Sequence, residues 1–306
     1  MNYKNNILII GGTGFIGYHL AKKALKKGWQ VTSISSRRPK KIRYLKRVKY
    51  IICDITKKKS LKKNVHGFFK YIVNLGGYVD HSNKKKTFES HYVGCKNIAE
   101  IFIKKMPIAF VQMGSSVEYG NLKSPQKENI KYNKKSVKSI YGKAKLAASM
   151  YLINLFKEKK FPSTILRLYL AYGPKQDVNR FLPIIIKACI KNKTFACSEG
   201  IQLRDFVYID DVVEAIIKSL INKNARGQII NIGSGKPKKI KNLIKYIQKN
   251  LKGGYPQFGK IKLREDEILK LYPNINKASK KIKWKPKISF SRGLQLTIKS
   301  YNAQTT

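Results

Sequence analysis

The first half of the chain alternates short apolar runs with longer segments in which apolar and polar residues recur at helical spacing. The first run is Ile7-Leu8-Ile9-Ile10, four consecutive apolar residues of the kind buried on both faces of a parallel sheet. Similar runs occur at residues 30–35, 50–53, 71–75 and 109–113. Because strands that alternate with helices indicate βαβ units, we predict an α/β protein with a Rossmann-type, doubly wound parallel sheet.

Beyond residue 170 the alternation continues, but the predicted strands are shorter. This change predicts a smaller C-terminal α/β lobe that lies over the carboxyl edge of the sheet. We therefore assign residues 1–170 to a Rossmann domain, in which glycines at positions 11, 14 and 17, between the first strand and the first helix, predict NAD(P) binding. Residues 171–306 are assigned to a substrate-binding lobe, partly interleaved with the first domain, and the substrate pocket is expected between the two.

A glycine-rich turn follows the first apolar run directly and precedes a predicted helix. In this context Gly11 permits a tight turn, Gly14 lets the backbone approach a pyrophosphate, and Gly17 lets the helix pack close to the strand. Phe15 and Ile16 lie between these glycines, at a helix N-terminus whose free N–H groups favour a phosphate. The five residues predict a dinucleotide-binding turn.

The end of the second predicted strand lacks the acid that holds the adenosine ribose in NAD-binding units. Ser35-Ser36-Arg37-Arg38 occupies this place. Guanidinium groups and small hydroxyls suit a 2′-phosphate, so Arg37 and Arg38 favour NADP(H) over NAD(H). NAD(H) stays open as the alternative, since basic residues are abundant throughout the chain.

Two further strand ends supply candidate cofactor contacts. Asp54 and Ile55 follow the third strand, and an acid there can either accept a hydrogen bond from the adenine amino group or cap the next helix. Leu75, Gly76 and Gly77 follow the fourth strand, where small residues let a cofactor ribose lie close to the backbone. We place these five residues in the predicted cofactor site.

A proton-transfer site is predicted at the end of the fifth strand. Ser115 lies there, at the edge where ligands bind in open α/β sheets. Tyr141 and Lys145 are four residues apart on a helix predicted to begin near Ser136, so the phenol and the ammonium share one helix face. A neighbouring ammonium stabilises phenolate, which lets a tyrosine exchange a proton near neutral pH. Tyr141 and Lys145 are also predicted cofactor contacts.

The charge of the chain is strongly unbalanced: 65 Lys and Arg stand against 16 Asp and Glu, for a net charge of +49. Such a balance is typical of nucleic-acid binding. The lysines are, however, spread over every predicted helix surface, and no zinc knuckle, helix-turn-helix or aromatic RNA-binding pattern accompanies them. We interpret the charge as solvated basic faces with no specific nucleic-acid partner. Binding to nucleic acid stays open as the alternative.

No apolar run reaches the length of a membrane-spanning helix, and the first residues lead into a strand without a signal sequence. The four cysteines are scattered, without the paired spacing of a metal site. We therefore expect a cytoplasmic protein with reduced cysteines, no metal and no membrane partner.

Taken together, these residues resemble the extended short-chain dehydrogenase/reductase family of nucleotide-sugar epimerases, dehydratases and reductases. The three glycines match the cofactor loop of that family, and Ser115, Tyr141 and Lys145 match its catalytic triad. Further matching stretches are Arg167 with Tyr172-Gly173-Pro174, residues 204–212, residues 231–235 and Trp284-Lys285-Pro286. The resemblance spans nearly the whole chain. It implies an enzyme with a nicotinamide cofactor, a nucleotide-sugar substrate and a homodimeric assembly.

Three positions depart from the family pattern. Ser116-Val117 stands where the 4,6-dehydratases have Asp-Glu, so removal of water lacks its acid–base pair. His91, on a helix predicted for residues 85–105, replaces a usual Asn and is interpreted as structural. Leu170 replaces the Asn that contacts the sugar in other members.

Residues 77–81, 114–120 and 271–275 are most similar to the CDP-abequose and CDP-paratose synthases. Those enzymes reduce a CDP-4-keto-6-deoxyhexose with NADPH, which implies a role in lipopolysaccharide O-antigen biosynthesis. The residues that the resemblance places against the substrate are Tyr78, His81, Ser116, Arg204 and Arg264.

From these observations we predict an NADP(H)-dependent reductase of a nucleotide-linked 4-keto-6-deoxyhexose, with Tyr141 as the proton donor. One alternative is an NAD-dependent nucleotide-sugar 4-epimerase. The other, from a different class, is a catalytically idle nucleotide- or nucleic-acid-binding protein on the same fold.

Overall fold

A computed structural model describes residues 5–78, 80, 82–129, 134–263 and 267–302 of the chain. Its strands are, in chain order, β1 (Asn6–Ile10), β2 (Gln30–Ser35), β3 (Val48–Ile52), β4 (Tyr71–Asn74), β5 (Ala109–Ser115), β6 (Ser163–Leu168), β7 (Leu170–Tyr172), β8 (Thr194–Ala196), β9 (Leu203–Arg204), β10 (Phe206–Tyr208), β11 (Ile229–Ile232), β12 (Lys238–Lys239), β13 (Tyr255–Gln257) and β14 (Lys270–Leu271). Its α-helices are α1 (Phe15–Lys26), α2 (Lys58–Asn64), α3 (Lys84–Phe88), α4 (Gly94–Phe102), α5 (Ile140–Lys159), α6 (Phe181–Ile190), α7 (Ile209–Ile221), α8 (Ile240–Leu251), α9 (Asn276–Ile282) and α10 (Phe290–Asn302).

Seven strands form one parallel sheet in the order β11-β6-β5-β4-β1-β2-β3. The chain begins in the middle of the sheet, builds outwards to β3, and then returns to β4 on the other side of β1. Ligands of such sheets bind outside the carboxyl ends of the strands, where the order reverses, and here that point lies between β1 and β4. The predicted Rossmann-type parallel sheet is confirmed.

Helices cover both faces of the sheet, because successive residues of a strand point to opposite sides. Ile7 and Ile9 pack in a core with α1 and α7, whereas Leu8 and Ile10 pack in a second core with α4 and α5. All four side chains are at most 1% exposed. Strand β1 is therefore fixed from both sides, and its carboxyl end holds the glycine turn in place.

Three element boundaries differ from the sequence expectation. Strand β5 extends to Ser115, so this serine belongs to the strand and is held by its hydrogen-bond ladder. The helix expected at residues 85–105 ends at Phe102 and contains a π-helical segment, Glu89–Val93, between α3 and α4. Strand β3 begins earlier than expected and ends at Ile52, which leaves Cys53 in the following loop.

The later strands form three small sheets, β10-β7, β12-β9-β14 and β13-β8. Strand β11 instead returns to the large sheet and pairs with β6. The part of the chain after residue 170 thus contributes to both the large sheet and the small ones, as partial interleaving requires. The division at residue 170 itself stays a prediction.

A buried arginine links these two parts of the chain. Arg43 is 4% exposed and donates from Nε and Nη2 to the carbonyl oxygen of Lys175 at 3.0 and 2.6 Å. The same guanidinium lies 3.0 Å from Asp177 Oδ1. His19 Nε2 donates to the carbonyl oxygen of Pro174 at 2.9 Å. The loop that leads from β7 to α6 is therefore fixed against the N-terminal half.

None of the helices in the described residues combines the length and the apolar character needed to cross a membrane. All four cysteines are buried and none forms a disulfide, as the sequence analysis expects.

Candidate active site

The glycine turn brings the backbones of three segments into contact. Gly11 has a φ of +77° and donates from its N–H to the carbonyl oxygen of Ile34 at 2.7 Å. A Cβ at Gly11 would lie 3.0 Å from the carbonyl group of Leu75, and a Cβ at Gly17 would lie 2.3 Å from the carbonyl oxygen of Gly11. These contacts leave no room for a larger residue, so α1 begins directly above the ends of β1 and β4.

Helix α1 presents an open N-terminus to the crevice outside the carboxyl ends of β1 and β4. Gly14 is its N-cap, no side chain caps it, and its first turn carries no acid. Phe15 and Ile16 form that turn and pack, half-buried, against the sheet core. The first N–H groups and the positive end of the helix dipole therefore face a space that a phosphate suits. The turn fits the pyrophosphate of a nicotinamide dinucleotide.

Strand β2 ends beside the glycine turn, with Ser35 Oγ 3.4 Å from the backbone nitrogen of Thr13. Arg37 and Arg38 follow in an exposed loop. Within the described ranges, neither guanidinium takes part in an ion pair. Residues 35–38 of this strand end therefore offer two exposed cations and no carboxylate.

The two candidate residues in the loop after β3, Asp54 and Ile55, have different structural roles. Asp54 Oδ1 accepts hydrogen bonds from the N–H and Oγ1 of Thr56 at 2.9 and 2.8 Å, so its carboxylate caps the turn before α2. Ile55 is buried, and its Cδ1 would lie 2.6 Å from a Cβ at Gly94 and 3.1 Å from one at Gly76. Ile55 therefore packs beneath the crevice, and the adenine contact of Asp54 stays a prediction.

The segment after β4 closes over His91. Gly77 has a φ of +156°, and a Cβ there would lie 1.8 Å from His91 Cε1. His91 Nε2 donates to the carbonyl oxygen of Tyr78 at 3.2 Å, and its ring packs edge-on against Tyr141 at a centroid distance of 4.9 Å. The histidine thus fills the space between the β4 loop and the tyrosine. The structure supports its interpretation as a structural residue.

Ser115, Tyr141 and Lys145 converge between β5 and α5. Helix α5 begins after Ser139, whose hydroxyl caps it, and a separate turn of 3-10 helix, Lys134–Ser136, precedes it. The Ser115 side chain lies close enough to the Tyr141 phenol to lower its pKa, and Lys145 Nζ lies 5.9 Å from the centroid of the tyrosine ring. The spacing of four residues does place phenol and ammonium on the helix face that meets β5.

Burial controls the protonation of this group. Burial raises the pKa of Tyr141, and the Ser115 side chain partly offsets this by lowering it. The charge of Glu118 raises the pKa of Tyr141 further, and the charge of Arg180 lowers it. Burial also lowers the pKa of Lys145 to about 8, against the opposing charge of Glu118. The expected stabilisation of a phenolate by Lys145 is therefore not the main influence on the pKa of Tyr141. Tyr141 keeps its proton, as a proton donor must.

The carbonyl group of Met113 connects Lys145 to the end of β4. Lys145 Nζ and Gln112 Nε2 both donate to its oxygen, at 2.7 and 3.1 Å. Gln112 Oε1 accepts from Asn74 Nδ2 at 2.8 Å, and Asn74 Oδ1 accepts from the N–H of Gly76 at 3.0 Å. A chain of hydrogen bonds therefore runs from the crevice to the lysine.

Two charged residues of the site escape sequence reasoning. Glu118 lies three residues after Ser115, is fully buried, and accepts a hydrogen bond from the N–H of Ser115 at 2.7 Å. Arg180 is the exposed N-cap residue of α6, and its charge acts on Tyr141. The available signal for Glu118 is the Ser-x-x-Glu spacing of Ser115 and Glu118, which is typical of a capping box, and the structure contains that box. For Arg180 the sequence holds no comparable signal.

A cavity of about 890 Å³ lies between the segments that follow β5 and precede α5 on one side and strands β9 and β14 on the other. Val117 and Ser139 form part of its wall, and Arg204 and Glu267 form another part, where their side chains make an ion pair. Burial lowers the pKa of Arg204, and the carboxylate of Glu267 opposes that shift. The volume is within the range of small-molecule sites. The cavity therefore has room for a ligand larger than a free sugar and carries a guanidinium in its wall.

The remaining predicted substrate contacts are Tyr78, His81, Ser116 and Arg264. Tyr78 lies beside His91 and donates from its N–H to Ser90 Oγ at 2.8 Å. Ser116 is buried at the start of the 3-10 turn that follows β5. His81 and Arg264 lie outside the described residues. The contacts of these four and of Arg204 with a substrate stay predictions.

Comparisons with known proteins agree with this geometry. A profile described as the NAD dependent epimerase/dehydratase family matches residues 7–233. The putative UDP-glucose 4-epimerase of Methanocaldococcus jannaschii is 27% identical over 304 residues, which cover 95% of this chain and 97% of that protein. The CDP-abequose synthase of Salmonella muenchen is 24% identical over 305 residues, or 96% of this chain and 97% of the relative. The crystal structure of UDP-glucose 4-epimerase with UDP-glucose from Thermotoga maritima superposes with a TM-score of 0.90 at 23% identity, over 98% of this chain and 100% of that one.

Replacing Gly17 with alanine tests the dinucleotide turn. The new Cβ would lie 2.3 Å from the carbonyl oxygen of Gly11 and 2.6 Å from the Cα of Gly12, so α1 must move away from β1. We expect the affinity for NADPH or NADH, measured by fluorescence titration, to fall about tenfold or more, which is about 1.4 kcal/mol. Gly28→Ala is the matched control: its φ of +76° makes alanine strained, but nothing lies within 4 Å of the added Cβ. An equal loss of affinity in both variants would contradict the assignment.

Proposed function

The chain belongs to the NAD dependent epimerase/dehydratase family of extended short-chain dehydrogenase/reductase enzymes, and from this premise we propose that it is an NADP(H)-dependent reductase of a nucleotide-linked 4-keto-6-deoxyhexose. Members of this family act on nucleotide sugars with a nicotinamide cofactor. The observation that carries the proposal is the convergence of Ser115 at the end of β5 with Tyr141 and Lys145 on one face of α5. This group lies at the carboxyl edge of the sheet, beside the open N-terminus of α1.

In the proposed reaction the carbonyl oxygen of the sugar lies between Ser115 and Tyr141. A bound nicotinamide supplies the hydride that the carbonyl carbon accepts. Tyr141 gives its proton to the developing alkoxide, and Ser115 Oγ donates a hydrogen bond to the same oxygen. Lys145 would hold the cofactor ribose, whereas the pKa of Tyr141 is set mainly by burial and by the Ser115 side chain.

The acids of this region argue against dehydration. Ser116-Val117 provides no carboxylate next to Ser115. Glu118, the next residue, is fully buried and held by hydrogen bonds from Ser115, Ser149 and Arg167. A carboxylate in that position cannot remove a proton from a sugar in the cavity. Reduction needs no such base, because Tyr141 is the only proton donor that it requires.

The nucleotide half of the substrate is placed in the cavity of about 890 Å³. Arg204 is half-buried in its wall and offers a planar, bidentate donor of the kind that suits a diphosphate. Arg204 and Arg264 are both predicted to meet that diphosphate. The Glu267 carboxylate now paired with Arg204 keeps the guanidinium in place in the wall.

Cofactor exchange separates the reductase from the alternative 4-epimerase. An epimerase returns the hydride to the same sugar and gains from a permanently bound NAD. A reductase must exchange its cofactor in every turnover, and cells commonly supply NADPH for that purpose. The exposed Arg37 and Arg38 support NADPH, whereas the similarity to a putative UDP-glucose 4-epimerase supports the alternative. The complete triad argues against an idle binding protein.

Several expectations from the sequence stay predictions at this level. They are a homodimeric assembly, a cytoplasmic location, a role in O-antigen biosynthesis and the absence of a sequence-specific nucleic-acid partner.

Tyr141→Phe should lower the rate of ketone reduction by about two to four orders of magnitude, because it removes the proton donor. Cofactor affinity should change little, since the ring and its packing against His91 are retained. Single-turnover kinetics with NADPH measure the first quantity and fluorescence titration the second. A variant with near-normal turnover would show that another group carries the proton.

Replacing both Arg37 and Arg38 with serine should lower the preference for NADPH over NADH by about tenfold or more, because each lost arginine–phosphate contact weakens NADPH alone. The ratio of the two dissociation constants is the measurement. Lys41→Ser combined with Lys46→Ser is the control, since it removes the same charge from nearby exposed positions. Equal affinities of the unaltered protein for the two cofactors would contradict the assignment.

The reaction itself is tested by its stoichiometry. Purified protein is mixed with a 4-keto-6-deoxy nucleotide sugar and excess NADPH, and both cofactor and product are quantified. A reductase consumes one NADPH for each alcohol formed. Interconversion of two 4-hydroxy sugars without net change of NADPH would identify an epimerase instead.

A further inference from the structure

A buried ion pair lies directly behind the catalytic serine. Glu118 and Arg167 are both 0% exposed, and Arg167 Nε donates to Glu118 Oε2 at 2.9 Å. The proposed reaction uses neither group. Such a pair needs an explanation, because burying two charges carries a desolvation cost that apolar residues of similar volume avoid.

The carboxylate connects three elements at one point. Glu118 Oε1 accepts from the N–H of Ser115, the last residue of β5, at 2.7 Å. Glu118 Oε2 accepts from Arg167 on β6 and from Ser149 Oγ on α5, the latter at 2.8 Å. Helix α5 also carries Tyr141. The strand end that bears the serine and the helix that bears the proton donor are therefore fixed to the same carboxylate.

The surrounding residues leave this carboxylate a single position. A Cβ at Gly114 would lie 2.5 Å from Glu118 Oε1, so the glycine before Ser115 provides the space that the carboxylate occupies. On the far side, the guanidinium carbon of Arg167 lies 4.2 Å from the centroid of the Tyr119 ring. Tyr119 donates in turn to Asn231 Oδ1 at 2.7 Å. The pair is thus in contact with β5, with the 3-10 turn Ser116–Tyr119 and, through Tyr119, with β11.

We propose that Glu118, held by Arg167, is a positioning residue that orients Ser115 toward Tyr141 through the Ser115 backbone. Its hydrogen bond fixes the peptide group of Ser115 and so sets the direction in which the serine hydroxyl leaves the strand. This inference rests on the proposed function, since the orientation matters only if serine and tyrosine share one carbonyl oxygen.

Glu118 also acts through its charge, which is a separate effect. The carboxylate raises the pKa of both Tyr141 and Lys145. The groups that face it are Arg167 from β6, Tyr141, Lys145 and Ser149 from α5, and Ser115 from β5. A test of positioning must therefore cancel the direct effect of the charge.

A double-mutant cycle with Ser115→Ala achieves this. The charge of Glu118 acts on Tyr141 whether or not the serine hydroxyl is present, so its contribution is equal in both backgrounds and disappears from the coupling term. Only the part of the Glu118 effect that passes through the Ser115 side chain remains in the coupling term. The variant that removes the pair is Glu118→Leu with Arg167→Met, which replaces both charges with apolar groups of similar length and leaves no buried arginine alone. Glu118→Gln serves as the second variant, because it keeps the size of the side chain.

The matched control is Asp211→Asn. Asp211 is also a buried carboxylate that accepts backbone N–H groups, those of Lys287 and Ile288, each at 2.9 Å. It lies in the first turn of α7, and the proposed reaction does not use it. Its replacement should affect stability only, with no coupling to Ser115→Ala.

Two quantities are measured for each member of the cycle. The first is kcat and KM for NADPH-dependent reduction. We expect Glu118→Leu/Arg167→Met to lower kcat by about 10- to 100-fold with a smaller change of KM, because a misplaced group at the reacting centre has effects of this size. In the Ser115→Ala background the same change should cost less than about threefold, since most of the effect passes through the missing hydroxyl.

The second quantity is the pKa of Tyr141, from the tyrosinate absorbance of each protein minus that of the same protein carrying Tyr141→Phe. It requires no substrate. We expect a coupling between Glu118 and Ser115 in this pKa as well, because the Ser115 side chain lowers it.

Additive effects in both quantities would overturn the proposal, because a purely structural pair loses the same amount with and without the serine hydroxyl. If the unaltered protein reduces no 4-keto nucleotide sugar, the proposed function fails, and the coupling in the Tyr141 pKa then decides the inference alone. If one Glu118 variant does not fold, the other decides it by the same criterion.

Discussion

The close backbone approach between Gly11 and Gly17 is the constraint on which the rest of the site depends. Strand β1 lies in the middle of the sheet with both faces buried, so its end cannot move to accommodate a larger residue. The carbonyl oxygen of Gly11 accepts from the N–H of Gly14 at 3.0 Å, which turns the chain at once into α1. The carboxyl ends of β4 and β5 lie next to this turn in the sheet, because β4 pairs with β1 and β5 pairs with β4. The position of Ser115, at the same edge of the sheet as the glycine turn, follows from that arrangement.

Sequence reasoning succeeds where the determining contacts are local in the chain. The apolar run of β1, the glycine spacing and the four-residue interval from Tyr141 to Lys145 each describe a few consecutive residues, and the structure has all three as predicted. The Glu118–Arg167 pair could not be predicted in this way, since its partners are 49 positions apart and lie on different strands. The pKa of Tyr141 is raised by burial, which depends on packing that spacing on one helix does not reveal. For the same reason the role of His91 becomes clear only when Gly77 is seen to pack on its ring.

Charged residues at the surface and in the interior differ in whether they have partners. With 65 basic and 16 acidic side chains in the chain, most lysines and arginines cannot each have an acid of their own as a partner. The buried charges, in contrast, have assigned partners: Arg43 with Asp177, Arg167 with Glu118, and Lys145 with the carbonyl of Met113. Exposed pairs such as Lys58 with Glu100 contribute little to stability. The fold therefore depends on its two apolar cores, and the excess of lysine is a property of the surface.

The shared carbonyl of Met113 has a consequence for how easily Lys145 can change its partner. A carbonyl oxygen has two lone pairs, and here one hydrogen bond comes from Lys145 and the other from Gln112. If the ammonium turned toward a cofactor ribose hydroxyl, as proposed, the oxygen would keep the bond from Gln112 and would not become a buried acceptor without a donor. The full desolvation penalty of an unsatisfied group, about 1–3 kcal/mol, is thereby avoided. The hydrogen bond from Gln112 would thus keep the Met113 carbonyl satisfied while Lys145 changed its acceptor, and the backbone of β5 would not need to move.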